Sequence, residues 1–301
     1  MKKLIHQGSV KDIYELGEGQ IEFSFSDRIS VFDKPIPSLI PHKAETLCRT
    51  AVHWFEIAEK SGIATHFIDQ TSPTSIRVKQ VDIIPDYDKL NSRTTNYLIP
   101  LEFISRYYLA GSLFDRFKKG TLSEDDLGFQ TGHAPRYGEK LPQSYLEMST
   151  KLEQVDTLLS EEKALEISGL TPDELKKIKE TILKLDEKIN RGVEKGGLIR
   201  ADGKKEFGFD HQRRLMLVDV FGTADEDRFW DMDKYKEGQC VELSKEFVRQ
   251  YYRRIGYKDA LYEARDRGEP EPDIPPLPAE VIKDVSRIYI ELYERITGQI
   301  F

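Results

Sequence analysis

The chain has 301 residues, with 45 Lys and Arg against 53 Asp and Glu, and a formal net charge of −8. That acidity, with basic runs no longer than pairs such as Arg213-Arg214 and Arg253-Arg254, excludes a dedicated nucleic-acid binder. Two distant cysteines, Cys48 and Cys240, exclude a disulfide framework and a cysteine zinc site and fit a reducing compartment, while 15 Phe, 14 Tyr and 2 Trp spread along the chain exclude disorder.

The start, Met1-Lys2-Lys3-Leu4-Ile5-His6, carries charge without an apolar run, so no signal peptide is expected. No stretch approaches the roughly 18 apolar residues of a membrane span. A cytoplasmic globular protein is expected, with no membrane or nucleic-acid partner and with a homo-oligomer left open.

The first hundred residues read mainly as strands. Ile21, Phe23 and Phe25 alternate with polar neighbours, Lys11 to Leu16 precedes them across the turn at Gly17-Glu18-Gly19-Gln20, and a shorter strand lies before Gly8-Ser9. Leu47, Ala51, Trp54, Phe55 and Ala58 recur at helical spacing up to Ser61-Gly62. Asp27 to Asp33 reads as a polar loop closing a strand. Leu98 to Tyr108 is the next strand, with Glu102, Ile104 and Arg106 on one face, followed by a short helix from Leu113 to Lys119. Thr171, Pro172 and Glu174 form the start signature of a long helix whose apolar face runs from Leu175 to Val193 and stops at Gly196-Gly197. Short apolar runs at 198–201, 207–209 and 215–220 return to strand. Helices follow at Ser244–Ile255 and Ala279–Thr297, separated by a stiff connector of five prolines from Gly268 to Pro278. The order predicts an α+β fold: a small β-rich N-terminal lobe over 1–97 and a larger mixed α/β domain over 98–301.

Several chemistries lack their signatures. There is no G-x-x-x-x-G-K-[ST] loop, no complete G-x-G-x-x-G, no G-x-S-x-G elbow and no H-x-x-x-H pair. Gly8-Ser9-Val10-Lys11 lies between strands, where it serves either as a phosphate-holding loop or as an ordinary hairpin turn. Arg106 and Ser112, six apart around Ala110-Gly111, suit a phosphate or carboxylate clamp, against the alternative of an Arg106–Glu102 pair. Asp202, Lys204 and Glu206 share one face if extended, and a second strand could bring Asp219 beside them. That is the hard-oxygen composition suited to Mg²⁺ and nucleotide phosphates. The alternative is a hairpin turn at Asp202-Gly203.

Pro100-Leu-Glu-Phe-Ile-Ser-Arg106-x-x-Leu-Ala-Gly-Ser112 and Asp202-x-Lys204-x-Glu206-Phe207-Gly208 together resemble the two characteristic motifs of the SAICAR synthetase family. The resemblance continues through Ser26-Asp27-Arg28-Ile29-Ser30, Thr150-Lys151-x-Glu153 and Thr223-x-Asp225-x-x-Arg228-Phe229-Trp230, and covers nearly the whole chain. It implies an ATP-dependent ligase of purine biosynthesis that joins CAIR to L-aspartate through an acyl phosphate, with ATP as co-substrate and Mg²⁺ in the cleft between the lobes. It assigns Gly8, Ser9 and Lys11 to ATP, Glu206 and Asp219 to ATP and the metal, and Lys151 and Lys204 to the reacting groups beside those carboxylates. Ser30, Asp33, Arg106, Ser112, Asp225 and Arg228 fall to the substrate. Ser9 and Val220 depart from the family pattern, shifting the expected phosphate contact to Lys11 and thinning the carboxylates around the metal. The resemblance also makes Asp202–Gly208 one strand, with Gly203 at a position that varies. A kinase-like phosphotransferase is disfavoured, since neither H-R-D nor D-F-G occurs. A nucleotide-binding protein without catalysis is the other competing class.

Overall fold

A computed structural model describes residues 2–153 and 155–301. Its first 79 residues supply the strands β1 (Lys3–Gln7), β2 (Lys11–Gly17), β3 (Gln20–Phe25), β4 (Arg28–Val31) and β5 (Lys34–Leu39). The helix α1 (Lys43–Lys60) follows, and then β6 (Phe67–Ser72) and β7 (Ser75–Lys79). Five of these strands make an antiparallel sheet in the order β1-β2-β3-β7-β6. The alternation predicted for Ile21 to Phe25 therefore falls on its central strand.

β4 and β5 form a separate hairpin. The segment from Asp27 to Asp33, expected as a loop, is thus a strand and its turn. The two turn residues, Phe32 and Asp33, both have positive φ, 52° and 62°. A two-residue turn of this kind matches the twist of its strands, but it normally takes Asn-Gly. Without those residues the sequence carries no turn signal.

The second sheet is built from β8 (Leu98–Tyr108), β9 (Lys140–Thr150), β10 (Leu158–Leu159), β11 (Leu198–Phe209), β12 (Leu215–Val218) and β13 (Asp227–Asp231). Its order is β10-β9-β8-β11-β12, with β13 paired to the start of β11. The helix α2 (Gly111–Lys118) follows β8, α3 (Glu161–Ser168) and α4 (Pro172–Lys195) precede β11, and α5 (Met232–Lys236) follows β13. The chain closes with α6 (Glu246–Arg254), α7 (Tyr257–Arg267) and α8 (Ala279–Thr297).

The long helix starts as its sequence dictates. The Thr171 hydroxyl accepts from the Glu174 amide at 3.2 Å, and the Glu174 carboxylate accepts from the Thr171 amide at 2.8 Å. Its apolar face, Leu175, Ile178, Ile182, Leu185, Ile189 and Val193, is fully buried. β11 is one continuous strand, paired with β8 from Asp202 to Gly208, so Asp202-Gly203 is not a turn.

Gly203 is nevertheless not free to vary in this chain. A Cβ there would lie 1.9 Å from Arg200 Nη2 and 2.3 Å from Asp227 Oδ2. The glycine is required because the buried Arg200 side chain passes beneath it at the register shift between Arg200 and Asp202.

α1 packs on α8 and α4, and one apolar core runs without a break from Phe23 to Ile296. The Leu217 amide donates to the Ala64 carbonyl and the His66 amide to the Leu217 carbonyl, both at 2.9 Å, which ties β12 to the chain entering β6.

Candidate active site

Strand register assembles the polar face. On adjacent strands Asp202 lies opposite Arg106, Lys204 opposite Ile104 and Glu206 opposite Glu102. Side chains alternate along a strand, so all six share one face of the sheet. β12 places Val218 opposite Glu206, and Asp219 follows it in the left-handed region at φ 57°. Its carboxylate accepts from the Val220 amide at 2.7 Å, a local bond that makes this conformation tolerable for an aspartate.

Cations then close on these acids. Lys11 pairs with Asp219. Lys151 lies 2.6 Å from Glu206 and 3.8 Å from Glu102, and Lys204 lies 2.8, 3.2 and 3.3 Å from Glu102, Glu206 and Glu226.

The charges shift one another as this crowding requires. Burial pushes the Glu102 carboxyl up to about 7, with Lys204 pulling it down and Glu206 pushing it further up. Burial would likewise raise the Asp219 carboxyl, but Lys11 and Lys151 outweigh it and hold the group well below the usual carboxylate range. Burial opposes the charge on Lys204 and Lys151. Glu226, Glu206 and Glu102 hold the first well above an ordinary lysine, and Glu206 and Asp219 raise the second.

Two adjoining cavities meet at this cluster. The larger, about 940 Å³, runs between the two sheets. Gly8, Ser9 and Lys11 line it from one sheet, and Lys151, Glu206 and Asp219 from the other, with Ile13, Ile21, Leu98 and Val218 forming apolar walls. At the loop, a Cβ on Gly8 would sit 2.7 Å from the Lys11 carbonyl, which accepts from the Gly8 amide. Only glycine fits that turn. The smaller cavity, about 170 Å³, is lined by Arg106, Ser112, Asp202, Lys204, Asp225 and Arg228, among others. Glu226 lines both.

In the smaller cavity the clamp forms within its motif, since Arg106 donates to the Ser112 hydroxyl at 3.1 Å. The anticipated alternative, an Arg106–Glu102 pair, does not occur. Arg106 pairs with Glu147 on β9 and approaches Asp202 at 3.6 Å. Arg228 pairs with Asp202 and lies 3.3 Å from Glu246 and 3.7 Å from Glu242. Asp225 is buried against Lys43 at 2.9 Å and accepts from the Tyr289 hydroxyl at 2.5 Å. Burial would raise its pKa, but Lys43 and Lys245 hold the carboxyl well below its ordinary range.

Ser30 and Asp33 stand apart from the other predicted residues. Neither lines the larger or the smaller cavity: Ser30 is buried in β4, and the Asp33 side chain is 93% exposed at a turn facing Arg265. The hairpin fold of this segment carries Asp33 away from the loop position that sequence reasoning gave it.

Several contributors escaped that reasoning. The sequence marks Glu102 only as an ion-pair partner, and Glu226 and Arg249 line the smaller cavity without a signal of their own. His66 lines the larger one. It is buried between Phe23 and Phe55, and its Nε2 has no hydrogen-bond partner. Burial pushes this imidazole down to about 3, so it is neutral. A lone histidine before an alternating strand gives no warning of such a place.

Glu206 is 3% exposed, and its carboxylate is matched only by the ammonium groups of Lys151 and Lys204, at 2.6 and 3.2 Å. A buried carboxylate held by cations alone has the donor chemistry of a hard-cation ligand. Among the described residues no group of three His, Cys, Asp or Glu is disposed to hold a metal. Glu206 and Asp219 would therefore supply two protein ligands, leaving positions for water and phosphate as Mg²⁺ prefers.

The SAICAR synthetase family model matches residues 4–263. The chain belongs to the SAICAR synthetase family. The phosphoribosylaminoimidazole-succinocarboxamide synthase of Thermoplasma acidophilum is 52% identical over 297 residues, covering 99% of each chain. That of Thermoplasma volcanium is 50% identical with the same coverage. A solved SAICAR synthetase in complex with ADP superposes with a TM-score of 0.70 at 25% identity, covering 98% of each chain. Like these SAICAR synthetases the molecule has an α+β fold, and its activity is the ATP-dependent ligation that makes SAICAR in purine biosynthesis. The nucleotide is a co-substrate, and the other substrates are small molecules. No helix among the described residues is long and apolar enough to cross a membrane.

Proposed function

We propose that ATP occupies the larger cavity and that the smaller takes the phosphate end of CAIR, so that the CAIR carboxylate meets the terminal phosphate at the Lys204–Glu226 junction. The observation that carries this reading is the shared wall: Glu226 lines both cavities, and Lys204 bridges from Glu226 to Glu206. Residues 1–97 contribute the phosphate-holding loop, and residues 98–301 the substrate and metal residues. Gly8 and Ser9 let the backbone approach the phosphates, and Lys11 neutralises their charge. His66 faces the nucleotide from the inner wall. Arg106, Ser112 and Arg228 hold the phosphate of the imidazole nucleotide, with Asp225 fixed behind them.

A carboxylate is a poor electrophile. Its oxygen attacks the terminal phosphorus, the bond to the bridging oxygen breaks, and ADP leaves an acyl phosphate. The aspartate nitrogen then attacks the acyl carbon, inorganic phosphate departs, and the amide forms with loss of the amine proton. Mg²⁺ held by Glu206 and Asp219 would supply neutralising charge to the transferring phosphoryl group. Lys151 and Lys204 hold the reacting oxygens in place, and their ammonium groups donate to the group that gains negative charge.

ADP release measured with CAIR, with and without L-aspartate, tests this. A single stoichiometric release without aspartate and continuous release with it are expected. Release that begins only when aspartate is present would overturn the acyl-phosphate order.

A further inference from the structure

A third cavity, about 490 Å³, lies outside the site described above. It opens between α4 and the edge of β12, near the chain that leaves α1, and its apolar floor includes Ala64, which is exposed, Leu215, which is half-buried, and the buried Ile63 and Phe207. Lys177, Thr181 and Lys184 face it from α4 at i, i+4 and i+7, one stripe of the helix. Arg213 and Arg214 close the far end.

The balance of charge here is unlike that of the catalytic cavities. Four cations face a single acid, Glu174, and Arg213 already neutralises it through two contacts at 2.8 and 2.9 Å. Arg214 is paired with Asp210 at 2.7 Å. Lys184 donates only to the Ser61 carbonyl, at 2.6 Å, and Lys177 has no carboxylate partner among the described residues. Two lysines without acids over an apolar floor, on a chain of net charge −8, concentrate positive potential in a recess.

The volume exceeds what inorganic phosphate fills and falls within the range of small-molecule sites. An anion alone would leave the apolar floor uncovered, and an apolar ring alone would leave the lysines unmatched. We propose that this cavity is a second ligand site, for a nucleoside monophosphate, whose phosphate meets Lys177 and Lys184 and whose base lies on the floor. The floor is the reverse side of β11 and β12, the strands that carry Glu206 and lead to Asp219.

Equilibrium dialysis with AMP tests the assignment through the number of molecules bound per chain. The wild type is expected to bind one more than Lys177→Glu/Lys184→Glu, or to bind that one at least tenfold more tightly. Thr181→Trp, which fills the recess without changing charge, should show the same loss. Ligation turnover at saturating substrates should stay at the wild-type rate in both, which also reports that they fold. AMP binding in either variant with wild-type number and affinity would overturn the proposal, whatever the fate of the ATP cavity.

Discussion

Arg106 holds two tasks that a substitution separates. It faces the smaller cavity with Ser112, and it neutralises the buried Glu147, which Arg116 also reaches. Arg106→Ala should raise the KM for CAIR by roughly 10- to 100-fold, the worth of a charge-assisted contact, while ADP affinity measured by titration stays within about twofold. Equal losses for both ligands would show that Arg106 serves the ATP side. Glu242 offers a second test at this scale. Burial pushes its carboxyl up to about 7, only partly offset by Arg228 and the bond from Trp230 Nε1 at 2.8 Å. The folded group thus keeps a proton that the unfolded chain, with a glutamate near 4.3, has released. Stability should therefore fall as pH rises from about 4.5 to 7, by roughly 3 kcal/mol in all, and Glu242→Gln should flatten that slope in urea titrations. A slope unchanged in the variant would assign the effect to another group.

At the scale of elements, β11 carries three of the site residues, and its path depends on one small position. Gly203→Ala would drive a methyl group into the Arg200–Asp227 pair, which is fully buried with Asp186 and Lys205. A loss of about 3 kcal/mol is expected, combining overpacking with disturbance of buried charges, and thermal melting would measure it. Retained stability would mean that Arg200 swings aside at little cost. Among the elements that could be read in advance, β3, β8, α1, α4 and α8 have an unbroken pattern. β9 could not, because its residues alternate only in part and it gains its place by pairing with β8. α7 buries only Tyr257, Leu261 and Ala264, too thin a face to show against its charged neighbours.

For the whole molecule, the two sheets share a single core, with α1 of the first segment packed on α8 at the far end of the chain. One cooperative thermal transition is expected, with calorimetric and van't Hoff enthalpies in agreement. Two resolved transitions would show that the segments before and after residue 97 melt independently. The site follows the same logic. Acidic composition excluded nucleic acid, but the cations lining the two cavities are each placed beside a carboxylate: Lys11 by Asp219, Lys151 by Glu206, Arg228 by Asp202. The active centre is charge-balanced rather than basic, so a polyanionic substrate must bring or find its own cation.

By itself the sequence determined the family and the chemistry, and most of the residues it singles out line the two cavities. Two motifs confined to short stretches carry that information, and strand periodicity places Asp202, Lys204 and Glu206 on one face. Only the tertiary structure decided which residues meet. The register of β11 on β8 set Glu102 against Glu206, the β4–β5 turn took Ser30 and Asp33 out of the cavities, and the packing of β6 brought in His66. Those outcomes depend on pairings between residues tens to hundreds of positions apart, and no local pattern of apolar and polar side chains encodes them.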